Sequence, residues 1–239
     1  MILEETHERQ KLYRFAGKVL ASRGAETVLD AACGNGEGTR ILVEEIQGEI
    51  VGLDRDANFI ERAEEKKSPR ARFVVGDVRK MDFRDSSFDA AVSFHTIEHL
   101  NGDDQKQFLG EFLRVLKPHS WFILGTPDRD VWELQGIAGT QPDHIKELTR
   151  NEVEDVMTLA GFKILEVYGQ ELVRSGNFTL RRILNILKKL DVLKIRRFLG
   201  EKTLGKIDQG TQPVDLKGDV LLLTPGLRAS INIFISRKR

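Results

Sequence analysis

Three features of this 239-residue chain predict a doubly wound α/β fold on a mostly parallel sheet. Short apolar strands alternate with helix-length amphipathic segments, the rhythm of parallel strands joined by crossover helices. The first strand ends in a glycine-rich turn that opens a helix, VLDAACGNGEGT at 28–39. The second strand, IVGLD, closes on Asp54 about twenty residues later, where a nucleotide-type unit places its acid.

The elements follow in order. Residues 8–20, ERQKLYRFAGKVL, form an amphipathic helix with Leu12, Phe15, Ala16, Val19 and Leu20 on one side. Strands are predicted at Thr27–Ala31, Ile50–Leu53, Arg72–Val75, Ala90–Phe94 and Trp121–Leu124, and helices at Gly38–Ile46, Ala57–Lys67 and Gln105–Leu116. SSF at 86–88 and KPHS at 117–120 read as turns. Thr149 stands three residues before Glu152, a capping box opening a helix that stops at Gly161. Lys163–Gly169 is the next strand, and the alternation of INIFIS makes Ser230–Ser236 a strand near the sheet edge. Between those two, Leu180, Ile183, Leu184, Leu187 and Leu190 recur at helical spacing, predicting basic amphipathic helices over 178–199 and a looser connection through 200–220. The expected organisation is one domain over 1–239, with 171–220 inserted as a helical lid.

Composition narrows the function. With 40% hydrophobic and 31% charged residues the chain reads as an ordinary globular protein, which excludes a disordered or collagenous one. Cys33 is the single cysteine, so a disulfide framework and a multi-cysteine metal site are excluded. No apolar run approaches membrane-spanning length, and MILEETHERQ has no secretory character, so a cytoplasmic location is expected. The zero net charge hides a split: residues 1–170 carry −9 and 171–239 carry +9. An acidic catalytic part argues against nucleic acid, and only Phe178 and Phe198 interleave the basic segment for base stacking. Arg181, Arg182, Lys188, Lys189, Lys194, Arg196 and Arg197 suit instead the anionic inner face of a membrane, a peripheral contact that fits a lipid-linked acceptor. A helical lid with a solvated charged face is the plainer account of the same charges, and oligomeric state is left open.

The glycine turn supplies small residues where backbone approaches a ligand, followed by a helix N-terminus that receives a carboxylate or phosphate. Asp54 is placed to accept both ribose hydroxyls of an adenosine. Asp77, in GDV just past RFVV, is placed for an adenine amino group, with Val78 or Met81 against the ring.

On these residues the chain resembles class I S-adenosylmethionine-dependent methyltransferases of the type 11/12 group, over about residues 5–170 and again at the last strand. DAACGNG is similar to the family's first motif, with Ala32 at a glycine position, where it narrows the methionine pocket slightly. FRDSSFDAAVSFHTIEHL at 83–100 and LRVLKPHSWFILGTPDR at 113–129 resemble the later motifs. The resemblance implies a seven-stranded sheet with an antiparallel last strand, S-adenosyl-L-methionine as cofactor, and a cofactor-contacting set of Asp30, Ala32, Cys33, Gly34, Gly36, Asp54, Arg55, Asp77, Val78 and Phe94. THERQKLYRFA, ACGNGEG, TPDRD and HIKELT further resemble methyltransferases found with polysaccharide- and glycan-building enzymes, although Glu37 stands where that subgroup often has an aromatic.

The expected reaction is methyl transfer to a small or lipid-linked acceptor, foremost to a sugar oxygen. Its rivals are a quinone-like or other small-metabolite acceptor, a dehydrogenase sharing Asp54, and a non-catalytic scaffold that keeps the nucleoside pocket. Aligning nucleophile, methyl and sulfur does most of the work, and a hydroxyl acceptor also needs a base. His144 leads as that base, with His95 and His99 as further candidates; His119, in KPHS, lies far from the expected site. His7 and Tyr13 stand where the first helix closes over the site or simply packs. No metal is expected, because Glu98 and His99 are adjacent and H-E-x-x-H is missing.

Overall fold

The computed structural model describes residues 2–65, 68–136, 138–139, 141–174, 220–223 and 227–238. Helix α1 (Ile2–Ser22) precedes β1 (Thr27–Ala31), α2 (Glu37–Glu45), β2 (Glu49–Asp54), α3 (Ala57–Glu64) and β3 (Ala71–Val75). Then come β4 (Phe88–Phe94), α4 (Gly102–Val115), β5 (Leu116–Pro127), α5 (Arg129–Gln135), α6 (Arg150–Ala160) and β6 (Phe162–Arg174). The two-residue β7 (Leu221–Leu222) and the long β8 (Leu227–Lys238) complete the described elements.

The sheet order is β3-β2-β1-β4-β5-β8-β6-β7. Strands β1 to β5 pair in parallel, and β8 runs antiparallel to both β5 and β6. This is the predicted doubly wound sheet of seven strands, with the short β7 as an added edge piece. Strand order reverses at β1/β4, and open sheets of this type bind ligands at such a switch point, beyond the strands' carboxyl ends.

Alternate residues of each strand fill two cores. Val28, Ile50, Val92, Ile123 and Ile233 pack under α1 and α2, while Leu29, Val51, Ala91, Phe122 and Phe234 pack under α4 and α6. Phe112 stacks on Phe122 with ring centroids 4.3 Å apart, and Phe162 meets the same ring at 5.1 Å. Asp56, Asn101 and Thr149 cap α3, α4 and α6, the last through the predicted capping box, and α6 stops at Gly161 with φ 113°.

Two local expectations are corrected. KPHS is not a turn between elements but a bulge within β5: β4 advances from Phe88 to Ala90 while its partner residues jump from Leu116 to Trp121, with His119 at φ 62°. Strand β8 is interior, not edge-near. Its polar residues face protein, with Ser236 Oγ donating to the Phe122 carbonyl and Asn232 Nδ2 to Asp128, so its alternation reflects two buried faces. The basic segment 178–199 and most of the 171–220 insertion lie outside the described residues, while residues 171–174 belong to β6 and Leu221–Leu222 to β7. Among the described residues, no helix is long and apolar enough to cross a membrane.

Candidate active site

The turn after β1 is shaped by three left-handed residues, Ala32 (φ 62°), Gly34 (φ 56°) and Gly36 (φ 75°). Gly34 and Gly36 adopt this conformation at low cost, whereas Ala32 does so against its Cβ. Gly36 must lack a side chain for a second reason: a Cβ there would sit 2.8 Å from the Phe73 ring. Beneath the turn, Asp30 is fully buried, accepting from Tyr13 Oη at 3.0 Å and Thr39 Oγ1 at 2.6 Å. Burial pushes its carboxyl up to about 6, against the opposing hydrogen bonds from Thr39 and Tyr13. Asp30 thus anchors the turn from below, and Tyr13 is part of that anchor. The side chain of His7 lies outside the described residues. The Cys33 thiol is buried, which together with the nearby charges of Asp30 and Asp54 pushes its pKa far up and keeps it protonated.

Asp54 closes β2 directly beside the turn. Its Oδ2 accepts from Gly34 N at 2.8 Å and its Oδ1 from Asp56 N at 3.0 Å. Arg55 follows on the exposed side. Past β3, Asp77 takes paired hydrogen bonds from Arg79, which hold its carboxyl below the ordinary value, and Arg79 reaches on to Asp104 at 3.1 Å. Val78 packs on the apolar cluster that contains buried Met81. The Phe94 ring is buried edge-on against Tyr13 at 4.9 Å, so it supports the turn from within. A Cβ at Gly34 would meet nothing within 4 Å, which leaves that face of the turn open.

The three predicted histidines lie on the same carboxyl edge of the sheet, and the fold brings two of them together across the sequence. His95 follows β4 at φ 53°, its N–H bonded to the Gly125 carbonyl, and its Nδ1 lies 3.4 Å from Glu98 Oε1. At that length the contact is electrostatic more than a full hydrogen bond. Glu98 is completely buried and accepts from Thr126 Oγ1 at 3.0 Å. Burial works against its ionised form, but His95 outweighs it and holds the carboxyl below its ordinary value. The Glu98 carbonyl receives the N–H groups of Ile145 and Lys146, docking the 141–149 loop onto the 97–99 turn. Consequently the His99 and His144 rings meet edge to face at 4.9 Å. His144 Nδ1 pairs with Glu147 Oε1 at 2.8 Å, and Trp132 of α5 stacks on the His144 ring. His119 lies in the β5 bulge at the amino end of that strand, away from this edge.

Residues 29–124 match the family model described as "Methyltransferase domain". This segment is similar to a methyltransferase domain. The chain's sheet topology is that of the class I methyltransferase fold. A protein named "Probable S-adenosylmethionine-dependent methyltransferase" from Mycolicibacterium smegmatis is 32% identical over 142 residues, 59% of this chain and 54% of that protein. The 2-methyl-6-phytyl-1,4-hydroquinone methyltransferase of a Synechocystis strain is 36% identical over 94 residues, 38% of this chain and 29% of that one. A solved SAM-dependent methyltransferase from Archaeoglobus fulgidus superposes with a TM-score of 0.60 at 17% identity, covering 94% of each chain. The chain spans about half the length of the mycobacterial relatives it matches.

The residues present fit the methyltransferase cofactor. The turn offers an open backbone face, Asp54 a carboxylate for a diol, and Asp77 with Val78 and Met81 a polar group beside an apolar wall. Sequence reasoning passed over Glu147, Trp132, Thr126 and Gln105, whose amide donates to the Ile97 and Leu100 carbonyls and fixes the turn that carries Glu98 and His99. It also passed over buried Asp128, which caps α5 and accepts from Asn232 at 3.1 Å. Asp128 and Asp130, both buried, lie 3.7 and 3.8 Å from the Arg228 guanidinium. A polar residue ahead of a short helix was the available signal for α5, since TPDRD carries Asp128 at the cap position.

Proposed function

We propose that this chain transfers the methyl group of S-adenosylmethionine to an oxygen of a small hydroxylated acceptor, foremost a sugar, free or lipid-linked. The observation that carries the reading is the gathering of His95, Glu98, His99 and His144 at the carboxyl ends of β4 and β5, on the cofactor edge of the sheet. The bound cofactor supplies an electrophilic methyl carried on a sulfonium. The chain's own residues hold the nucleoside through Asp54 and Asp77, orient the acceptor, and relieve its hydroxyl of a proton at the imidazole cluster. Amine acceptors need no such cluster.

The second reading is a hydroquinone-like acceptor, favoured by the Synechocystis relative. Labelled-methyl transfer over a panel of sugars, lipid-linked sugars, hydroquinones and amines separates them. Label in an alkali-stable ether on a sugar is the expected product. His144→Ala is expected to lower turnover at least a hundredfold while cofactor affinity stays within about threefold, a loss in the range of a removed general base. Transfer to amines alone would defeat the oxygen assignment.

A further inference from the structure

We propose that Glu98, His99 and His144 form a binding site for one divalent transition-metal ion of the zinc class. One ligand atom from each residue lies within 4.8 Å of the others. Bonds of about 2.0–2.2 Å place ligand atoms roughly 3.5 Å apart, so side-chain shifts on the order of an ångström close the set on an ion. Glu98 supplies the decisive second observation. It is fully buried, and among the described residues its Oε1 makes no full hydrogen bond, the His95 Nδ1 beside it standing 3.4 Å away, so that oxygen keeps a lone pair free for an ion.

Both imidazoles are held from behind as metal ligands usually are. His144 Nδ1 pairs with Glu147 Oε1 at 2.8 Å, with only 8% and 6% of these side chains exposed. His99 Nδ1 pairs with the Asp143 carbonyl at 2.9 Å. A carbonyl only accepts, so His99 carries its proton on Nδ1, and a carboxylate imposes the same tautomer on His144. Each ring is then left with its lone pair on Nε2, the arrangement in which an outer carboxylate or carbonyl orients a ligating histidine. Two imidazole nitrogens and one carboxylate oxygen are borderline donors suited to zinc and its neighbours, and three protein ligands leave a position open. Residue spacing argues against a metal, because Glu98 and His99 are adjacent and H-E-x-x-H is missing. His144 completes the set from a loop 45 residues beyond His99.

Ion binding stands by itself; its role rests on the proposed methyl transfer to oxygen. In that role the acceptor hydroxyl takes the open position and releases its proton to solvent. The oxygen lone pair forms the new O–CH3 bond, while the C–S bond breaks with both electrons remaining on sulfur. His144, first in line as a base from the sequence, is then a ligand.

The test is calorimetric titration of the chelator-treated full chain with Zn2+, repeated with Co2+ while recording the visible ligand-field bands. One ion per chain is expected, with affinity reduced at least a hundredfold by Glu98→Gln and by His144→Ala, and unchanged by His119→Ala. Circular dichroism confirms that each variant is folded. His144 lies on a loop, so its variant keeps the test decisive if buried Glu98 tolerates no change. Absence of stoichiometric binding, or binding that both substitutions leave intact, overturns the proposal. Titration of the same metal-free samples with S-adenosylmethionine separates the two readings: cofactor heat without ion binding sinks the metal site alone, and loss of cofactor binding sinks the transferase reading.

Discussion

At the scale of single residues, the glycine turn is braced by a buried charge. Asp30 is wholly buried and has four neighbours of consequence: the Thr39 hydroxyl, the Tyr13 hydroxyl, the Arg9 charge and the Asp54 carboxylate. Burial raises its carboxyl to about 6 in the fold, from the ordinary 3.8. A raised acid binds its proton more tightly in the native state, so its stabilising contribution is complete below the unfolded value and is lost as pH rises through the folded one. The stability of the wild type relative to Asp30→Asn is therefore expected to fall between about pH 4 and pH 6 and to level off above that. Chemical denaturation across that range measures the difference, and a flat profile would remove Asp30 from the account. From the sequence, Asp30 and Asp54 were legible as strand-end acids, but that Asp30 turns inward was not. Its two donors come from α1 and α2, and neither helix announces which strand residue it will cover.

At the scale of elements, local rules worked where local chemistry decides. The capping box of α6 is visible in four letters, Thr149 to Glu152, and the structure contains both of its hydrogen bonds. Thr149→Ala is expected to cost about 1 kcal/mol, read as a shift in the denaturation midpoint with an unchanged slope. A change below a few tenths would mean that the 141–149 loop, not the cap, sets where α6 begins. The rules failed where distant chain decides. KPHS has turn composition, yet β4 and β5 continue pairing on either side of it, so tertiary pairing overrides the turn. INIFIS alternates like a half-exposed strand, yet Asn232 and Ser236 spend their polarity on Asp128 and a β5 carbonyl. Helix α5 is seven residues long, too short for a periodic signal, and it supplies the Trp132 that stacks on His144.

At the scale of the whole molecule, the doubly wound, mostly parallel sheet was legible because alternating strands and helices leave few topologies, whereas the strand order that sets the switch point came from the structure. The histidine cluster was legible in its members but not in its assembly. His99 and His144 meet only because Glu98 accepts two loop N–H groups, a pairing with no trace in residue spacing. The charge split adds a prediction at this scale. An acidic chain through residue 170 followed by a net +9 segment implies that the full chain cosediments with vesicles containing anionic lipid, while a chain lacking 178–199 does not. Equal partition of both forms would assign those charges to a solvated face instead.

The central claim is that the turn after β1 and the acid closing β2 together hold the cofactor. Calorimetry of the full chain with S-adenosylmethionine and with NAD, for the wild type and for Asp54→Ala, tests it most directly. The account predicts one molecule of S-adenosylmethionine bound per chain, at least tenfold weaker binding in the variant, and no heat with NAD. Silence with S-adenosylmethionine, or an affinity that Asp54→Ala leaves untouched, would contradict it.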